Sequence, residues 1–388
     1  MHRPVPDVPK AGVLVPPHIP PGQLVSYAQQ AERLGFAEVW VAEDCFLHGA
    51  FAQAATILAS TASLRVGMGI IPAAARNVAF AAMEIATLAG LHPGRLTVGV
   101  GHGMPGWLDQ VGARPSSPLT LLEEYIQALR WLLAGQRVDV GGRYVRLSGV
   151  QLAHVPAVPP PVFAGVRGPK SLRLSGRVAQ GTILAEPVTP EYLSAVVKQI
   201  HSADHEIVAY NFASIDDDPA VARERVRKAL AVVGEPDWQP HVAMLEFAAE
   251  LAELRRSTTS AAAFAAALPD SWVDRLAIVG TQERAHEQLA ALHRGGATRT
   301  VLTPAYPDPR SALDSLARVI RHLDPGNLKT APILFQRFRS ACPLSSIAGR
   351  LVYDAMVRSS SRSAIWARAA SSGSRWYSPI RAIAVSGR

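Results

Sequence analysis

The sequence predicts an α/β protein, a (β/α)8 TIM barrel carrying insertions, and three observations lead there. Short β-branched runs alternate with longer helical patterns, the signature of βαβ units and a parallel sheet. Eight such runs occur before residue 304. The runs are almost continuously apolar, as strands buried on both faces of a barrel wall must be.

The elements follow in order. "GVLV" (12–15) is the first expected strand, and a helical pattern covers 22–34. "EVWVA" (38–42) precedes a helix over 50–61, and "LRVGMGII" (64–71) precedes one over 79–90. "RLTVGV" (95–100) leads through a long loop to a helix over 118–133. "PVFAG" (161–165) and the helix 169–178 follow, then "TILA" (182–185) with 190–200. "EIVAYNFA" (206–213) with 217–232, a helix over 282–294 and "RTVLT" (299–303) complete the set. Eight units within residues 1–327 exceed the roughly 250 residues of a plain barrel, so insertions are expected. One lies near 134–160, a small hairpin with a Gly-Gly turn and a Pro-rich exit; the other, near 235–274, is Ala-rich and helical. Residues 328–388 are rich in Arg and Ser without an apolar period, and are expected to be a disordered tail.

Composition bounds the function. The chain of 388 residues is 48% hydrophobic and 18% charged, which suits a globular core. No stretch reaches the roughly 18 apolar residues of a membrane helix, and "MHRPVPDVPK" lacks a signal-peptide core. Neither a membrane partner nor secretion is expected. Two cysteines, Cys45 and Cys342, at unrelated places form no disulfide framework or zinc cluster, so a reducing, cytoplasmic setting is expected. The net charge of +8 belongs to the tail: residues 331–388 hold nine arginines and one acid, Asp354. The body is neutral, and the tail carries no recognisable reader fold, so nucleic acid is not an expected partner.

Function in a barrel concentrates where strands end. "GHGMPG" (101–106) matches G-x-G-x-x-G, a dinucleotide-turn pattern. That turn needs a helix opening within the motif after a first strand. Here the motif follows the fourth strand, and Pro105 and Gly106 read as interruptions of a continuing loop. Gly101, His102 and Gly103 are instead expected at the barrel mouth. "VRGPKS" is the better anion site, Val166, Arg167, Gly168, Pro169, Lys170 and Ser171 lying at a strand–helix junction. Pro169 suits the first helical turn, backbone N–H groups there favour an anion, and Arg167 and Lys170 add charge. Glu43 and Asp44 form an acidic pair at a strand end, where alternation sends only one toward the mouth. His201 and His205 have a helical ligand spacing, yet no third ligand accompanies them, so no metal is expected.

Five segments carry a family resemblance: "AERLGFAEVWVAED", "ASLRVGMGIIPAAARNVAFAAMEIATLAGLHPGRLTVGVGHG", "LLEEYIQALRWLLAGQRVDVGGRYVRL", "PPVFAGVRGPKSLRLSGRVAQGTIL" and "VDRLAIVGTQERAHEQLAALHRGGATRTVL". Over residues 11–323 the chain resembles the luciferase-like monooxygenase superfamily, and within it the deazaflavin (coenzyme F-420)-dependent oxidoreductases. The resemblance implies a bacterial-luciferase-like barrel holding a deazaflavin or flavin at the strand C-termini. It places the cofactor phosphate at Gly168, Pro169, Lys170 and Ser171. It also places a bulge with a non-proline cis peptide at Gly69 and Ile70, and an acid at Glu43 or Asp44 against the ring. Departures occur at Met104, where many deazaflavin enzymes carry Glu, at Asn77 and Val78, where the family's Arg-His-Pro reads Arg-Asn-Val, and at Gln180, where its Ala-Asp-Gly reads Ala-Gln-Gly (residues 179–181).

The resulting expectation is an oxidoreductase moving a hydride between reduced deazaflavin and a small organic substrate, with His102 as proton donor. The alternatives are an FMN-dependent monooxygenase using molecular oxygen, and a flavin-binding pseudo-enzyme, the latter suggested by Met104. Barrels of this family commonly form homodimers, and one is expected here.

Overall fold

The computed structural model describes residues 11–321; the tail expected over 328–388 lies outside them. The strands are β1 (Ala11–Leu14), β2 (Glu38–Val41), β3 (Arg65–Pro72), β4 (Leu96–Gly101), β5 (Val138–Gly141), β6 (Arg146–Val150), β7 (Val162–Gly165), β8 (Gly181–Leu184), β9 (Glu206–Ile215), β10 (Ile278–Gly280) and β11 (Arg299–Pro304). Eight of them form a closed parallel ring in the order β1-β2-β3-β4-β7-β8-β9-β11, with β11 returning to β1. Helices lie between successive strands, so the chain is the (β/α)8 barrel its alternation predicts.

Two packed layers hold it. Val13, Val39, Val66 and Val98 belong to the core between the strands and the helices. Leu14, Trp40, Phe163, Ile183, Val208, Tyr210 and Val301 form a separate cluster, with Ile70 packed against it. These come from β1, β2, β7, β8, β9 and β11, so together they fill the ring's interior.

β5 and β6 pair antiparallel around Gly141–Gly142. The second insertion is helical and shares a core with β9 and the helix Pro219–Arg227, in which Phe212, Val226, Leu245, Phe247 and Phe264 are buried. Helices Pro169–Val178, Pro190–Ile200 and Gln282–Arg294 occupy the predicted residues, each with proline at N1 or an N-cap threonine.

Four details differ from expectation. Residues 105–110 form a short helix rather than a loop, because Pro105 sits at a first helical turn, where its missing N–H costs nothing. β10 adds a three-residue strand beside the end of β9, pairing Ile278–Gly280 with Ala213–Ile215. The helix predicted over 217–232 runs only Pro219–Arg227 and continues as a tighter 3-10 turn over Ala229–Gly234. His201 and His205 do not share a helix face. The helix ends at Ile200, His201 caps it with φ 52°, and buried His205 lies 2.7 Å from the Thr182 hydroxyl. Among the described residues no group of His, Cys, Asp or Glu could hold a metal ion.

At the N-terminal end of the ring a charged cluster spans four strands. Arg299 of β11 donates to Glu206 of β9 at 2.7 Å, to Glu38 of β2 at 3.4 Å and to Thr97 of β4 at 3.3 Å. Glu38 is only 2% exposed, and its other cation, Arg65 at 3.6 Å, is itself partly solvated, so removing Arg299 leaves a buried charge poorly compensated. Arg299→Ala should therefore cost about 3–5 kcal/mol in urea unfolding. A loss under about 1 kcal/mol, the size of an exposed pair, would show that the cluster does not hold this end of the ring.

Candidate active site at the strand C-termini

The parallel ring brings the C-terminal ends of its strands to one rim, and most of the residues singled out in the sequence gather there. β3 loses register between Met68 and Ile71, and the Gly69–Ile70 peptide is cis, at the place the resemblance implies. The backbone approaches its neighbour closely: a Cβ on Gly69 would collide with the Tyr210 hydroxyl. Gly101 ends β4, with the Ile70 side chain filling the space beside it. Gly103 turns the chain with φ 73°, a conformation glycine adopts without steric cost.

The acidic pair divides. Glu43 is held by Arg76, whose Nη2 donates to Oε1 at 2.6 Å and whose Nη1 reaches Oε2. Oε1 also accepts the Ala50 amide at 3.2 Å, so Glu43 caps the helix Ala50–Ser60. Its own amide donates to the Ile70 carbonyl at 3.3 Å, tying the loop after β2 to the β3 bulge. Glu43 is thus a brace. The Asp44 carboxyl makes no hydrogen bond among the described residues; burial raises its pKa, and the nearby His18 partly opposes this.

The candidate anion cradle lies where β7 meets helix Pro169–Val178. Gly168 is the N-cap without a side-chain cap, so the first-turn amides lack a partner there. Val166 donates its amide to the Ile183 carbonyl at 3.2 Å, fixing the loop. The Arg167 carbonyl accepts the Tyr192 hydroxyl at 2.8 Å. Lys170 is exposed, and Ser171 Oγ lies 3.0 Å from His102 Nε2. Burial lowers the His102 pKa, opposed by the Pro118 carbonyl and aided by Arg167. His102 therefore joins the β4 turn to the cradle as a neutral imidazole near neutral pH.

The second insertion roofs this corner. Trp238 donates its indole N–H to the Glu186 carbonyl at 2.7 Å, and the Arg167 guanidinium lies 4.6 Å over the Trp238 ring. Arg167 also donates to the Asp237 carbonyl at 3.1 Å. Buried His241 sits 3.0 Å from the Pro187 carbonyl and against Tyr192, and burial pushes its pKa down to about 4. Beneath the roof, burial raises the Glu186 carboxyl; Asp44 adds to the rise and Arg167 opposes it. Tyr210, buried with an unpartnered hydroxyl, lies within electrostatic reach of Glu186 and Asp44.

Trp238 and Tyr210 are the rim residues that sequence reasoning missed. Glu186 stands two residues after β8, so the strand-end rule points to it. Tyr210 is hidden inside the apolar run of β9, and Trp238 reaches the rim only through the docking of the insertion.

The 5,10-methylenetetrahydromethanopterin reductase of Methanolobus tindarius is 28% identical over 323 residues, covering 80% of this chain and 98% of its own. The F-420-dependent hydroxymycolic acid dehydrogenase of Mycobacterium tuberculosis is 31% identical over 221 residues, 52% of this chain and 61% of its own. Among solved structures, the coenzyme F-420-dependent tetrahydromethanopterin reductase from Methanopyrus kandleri superposes with a TM-score of 0.70 at 22% identity, over 82% of this chain and 100% of that one. An FMN-bound type II Baeyer–Villiger monooxygenase from Pseudomonas putida superposes at 0.63 and 16% identity, over 82% and 99%. The family model described as luciferase-like monooxygenase matches residues 6–299, and the chain belongs to that family.

Proposed function

We propose that the protein is an oxidoreductase transferring a hydride between a deazaflavin, coenzyme F-420, and a small organic substrate. The observation that carries this reading is the rim itself: an open anion cradle on one side and two desolvated carboxyls, Asp44 and Glu186, on the other. The reductase and dehydrogenase names of the relatives support it.

The rim suits a flavin-shaped group on two counts. A Cβ on Gly168 would meet nothing within 4 Å, so the amides of that helix end stand open to a phosphate. The buried, unpartnered Tyr210 hydroxyl lies beside the Gly69 backbone, where a polar ring atom would satisfy it. In this reading Val166, Arg167, Gly168, Pro169, Lys170 and Ser171 hold the phosphate-bearing chain, and His102 orients Ser171. Gly69, Ile70, Gly101 and Gly103 back the ring. When bound, the reduced cofactor supplies the hydride. The protein excludes water and keeps a proton on an Asp44 or Glu186 carboxyl oxygen, which desolvation favours. His102, lowered by burial, is a hydrogen-bonding partner rather than the proton store.

An FMN-dependent monooxygenase is the second reading, favoured by the likeness to the FMN-bound enzyme. A flavin-binding pseudo-enzyme is the third, favoured by Met104. Titration with both cofactors and turnover with a substrate panel separate the three. Tight FMN binding without deazaflavin affinity would overturn the first reading, and binding without turnover would favour the third.

A homodimer in the cytoplasm is part of the proposal. The helix Val78–Leu91 exposes Phe80 at 66%, Met83 at 54% and Leu91 at 68%, a spacing that places them on one face. No helix among the described residues is long and apolar enough to cross a membrane.

Three outcomes follow. Gly168→Val should keep the wild-type melting temperature yet weaken cofactor binding by about tenfold or more, the worth of a lost charge-assisted hydrogen bond; unchanged affinity in a fluorescence titration would move the cradle elsewhere. In the direction of substrate reduction, the neutral carboxyl is present below its raised pKa and lost as pH rises through it. The rate should therefore fall on the alkaline side, and Asp44→Asn or Glu186→Gln should remove that limb; a limb untouched by both would clear the carboxyls of this role. Sedimentation of Phe80→Asp/Met83→Glu should give a monomer where the native chain gives a dimer, and a wild-type monomer would end the dimer reading.

A further inference from the structure

A cavity of about 490 Å³, which shares no lining residue with the cradle, lies between residues 73–78 after β3, the loop 112–115, the helix Pro118–Leu133 and the β5–β6 hairpin. Its size is that of a small-molecule site. Ala73, Val78, Leu121, Val145 and Leu147 supply apolar wall, and three arginines lie around it: Arg76, Arg114 and Arg146. Two of them are committed, Arg76 to Glu43 and Arg114 to Asp109 at 2.7 Å. Arg146 is not. Its Nε donates to the Gly142 carbonyl at 3.2 Å, and it makes no ion pair among the described residues.

Tyr125 is the second observation. It lines the same cavity at 2% exposure, and its hydroxyl is buried without a hydrogen-bond partner. A buried hydroxyl left unpaired costs stability, whereas a phenylalanine in its place would cost nothing in packing. The neighbouring Tyr144 hydroxyl, by contrast, is satisfied by Ser116 at 2.7 Å and by the Ser117 amide.

We propose that this cavity is a binding site for a small organic acid with an apolar body. The carboxylate or phosphate of the ligand pairs with the Arg146 guanidinium and accepts the Tyr125 hydroxyl, while its body lies on the apolar wall. Such an arrangement joins a charge-assisted hydrogen bond to the relief of a buried orphan donor.

The test is calorimetry and thermal shift on the full chain with benzoate, phenyl phosphate and neutral p-cresol. Benzoate or phenyl phosphate should bind and raise the melting temperature, whichever binds tighter identifying the preferred anion, and p-cresol should do neither. Arg146→Ala should weaken that binding by about tenfold. Tyr125→Phe should weaken it by about fivefold while keeping or raising the stability of the ligand-free protein, which shows that the variant folds. Lys170→Ala, in the cradle, should leave it unchanged. No binding of either acid at about 10 mM, a concentration that detects even millimolar affinity, would overturn the proposal. So would affinity unchanged in both cavity variants, or lost in Lys170→Ala instead.

Discussion

Everything else in this molecule depends on the closure of its parallel ring. Once β8 pairs with β9 and β11 returns to β1, none of the eight ring strands keeps an open edge, and every crossover lies on the outside. Parallel closure also sorts the chain by direction. Strand C-termini and the N-terminal ends of the following helices face one rim, and the strand starts face the other. Side chains fill the interior, with Trp40 and Tyr210 in edge contact at 5.8 Å, so the ring is not a pore. Chemistry therefore has to sit on top of the plug, at the depth of the β3 bulge. The Arg299 cluster closes the opposite end with charges that have partners, which makes that end a matter of stability rather than of reaction.

The fold was legible in the sequence because its signals are local and repeated. Pro169 and Pro190 mark helix starts, and near-continuous apolar runs mark the strands. Where local signals conflict, reading failed. Pro105-Gly106 has the composition of a turn, yet a proline at a first helical turn opens the helix 105–110 just as well. β10 is three residues long, too short to show any period, and exists only because the end of β9 offers it a partner. His201 and His205 have helical spacing, but spacing says nothing about where the helix stops.

The site was legible in outline and not in detail, for a related reason. Alternation along an extended segment separates Glu43 from Asp44 but does not say which of them meets the mouth. Arg76 decides it. By gripping Glu43 with two nitrogens it ties the loop after β2 to the segment after β3, and it leaves Asp44 to be desolvated. Arg76 is the one residue of the Arg-Asn-Val stretch that matches the family's usual Arg-His-Pro, yet the motif alone does not say which of the two acids it grips. Trp238 is further still from any motif, since its place over Arg167 comes from how the insertion packs against β9 and the helix Pro219–Arg227.

That docking bears on how the rim is poised. Trp238 and His241 bond to the carbonyls of Glu186 and Pro187, so the roof anchors the segment bearing the Glu186 carboxyl. Desolvation then disfavours its ionised form, as it does for Asp44, while Arg167 pulls the other way. Arg167 is itself shared: its guanidinium stacks on the roof, and its carbonyl is held by Tyr192 within the cradle. A phosphate arriving at the cradle adds negative charge near Arg167 and draws on the same cation that tempers Glu186. Binding an anion there should push the Glu186 carboxyl further toward its neutral form. In the proposed reaction the two events are ordered in the useful sense, because the charge that seats the cofactor also favours the protonated carboxyl that reduction of a substrate consumes.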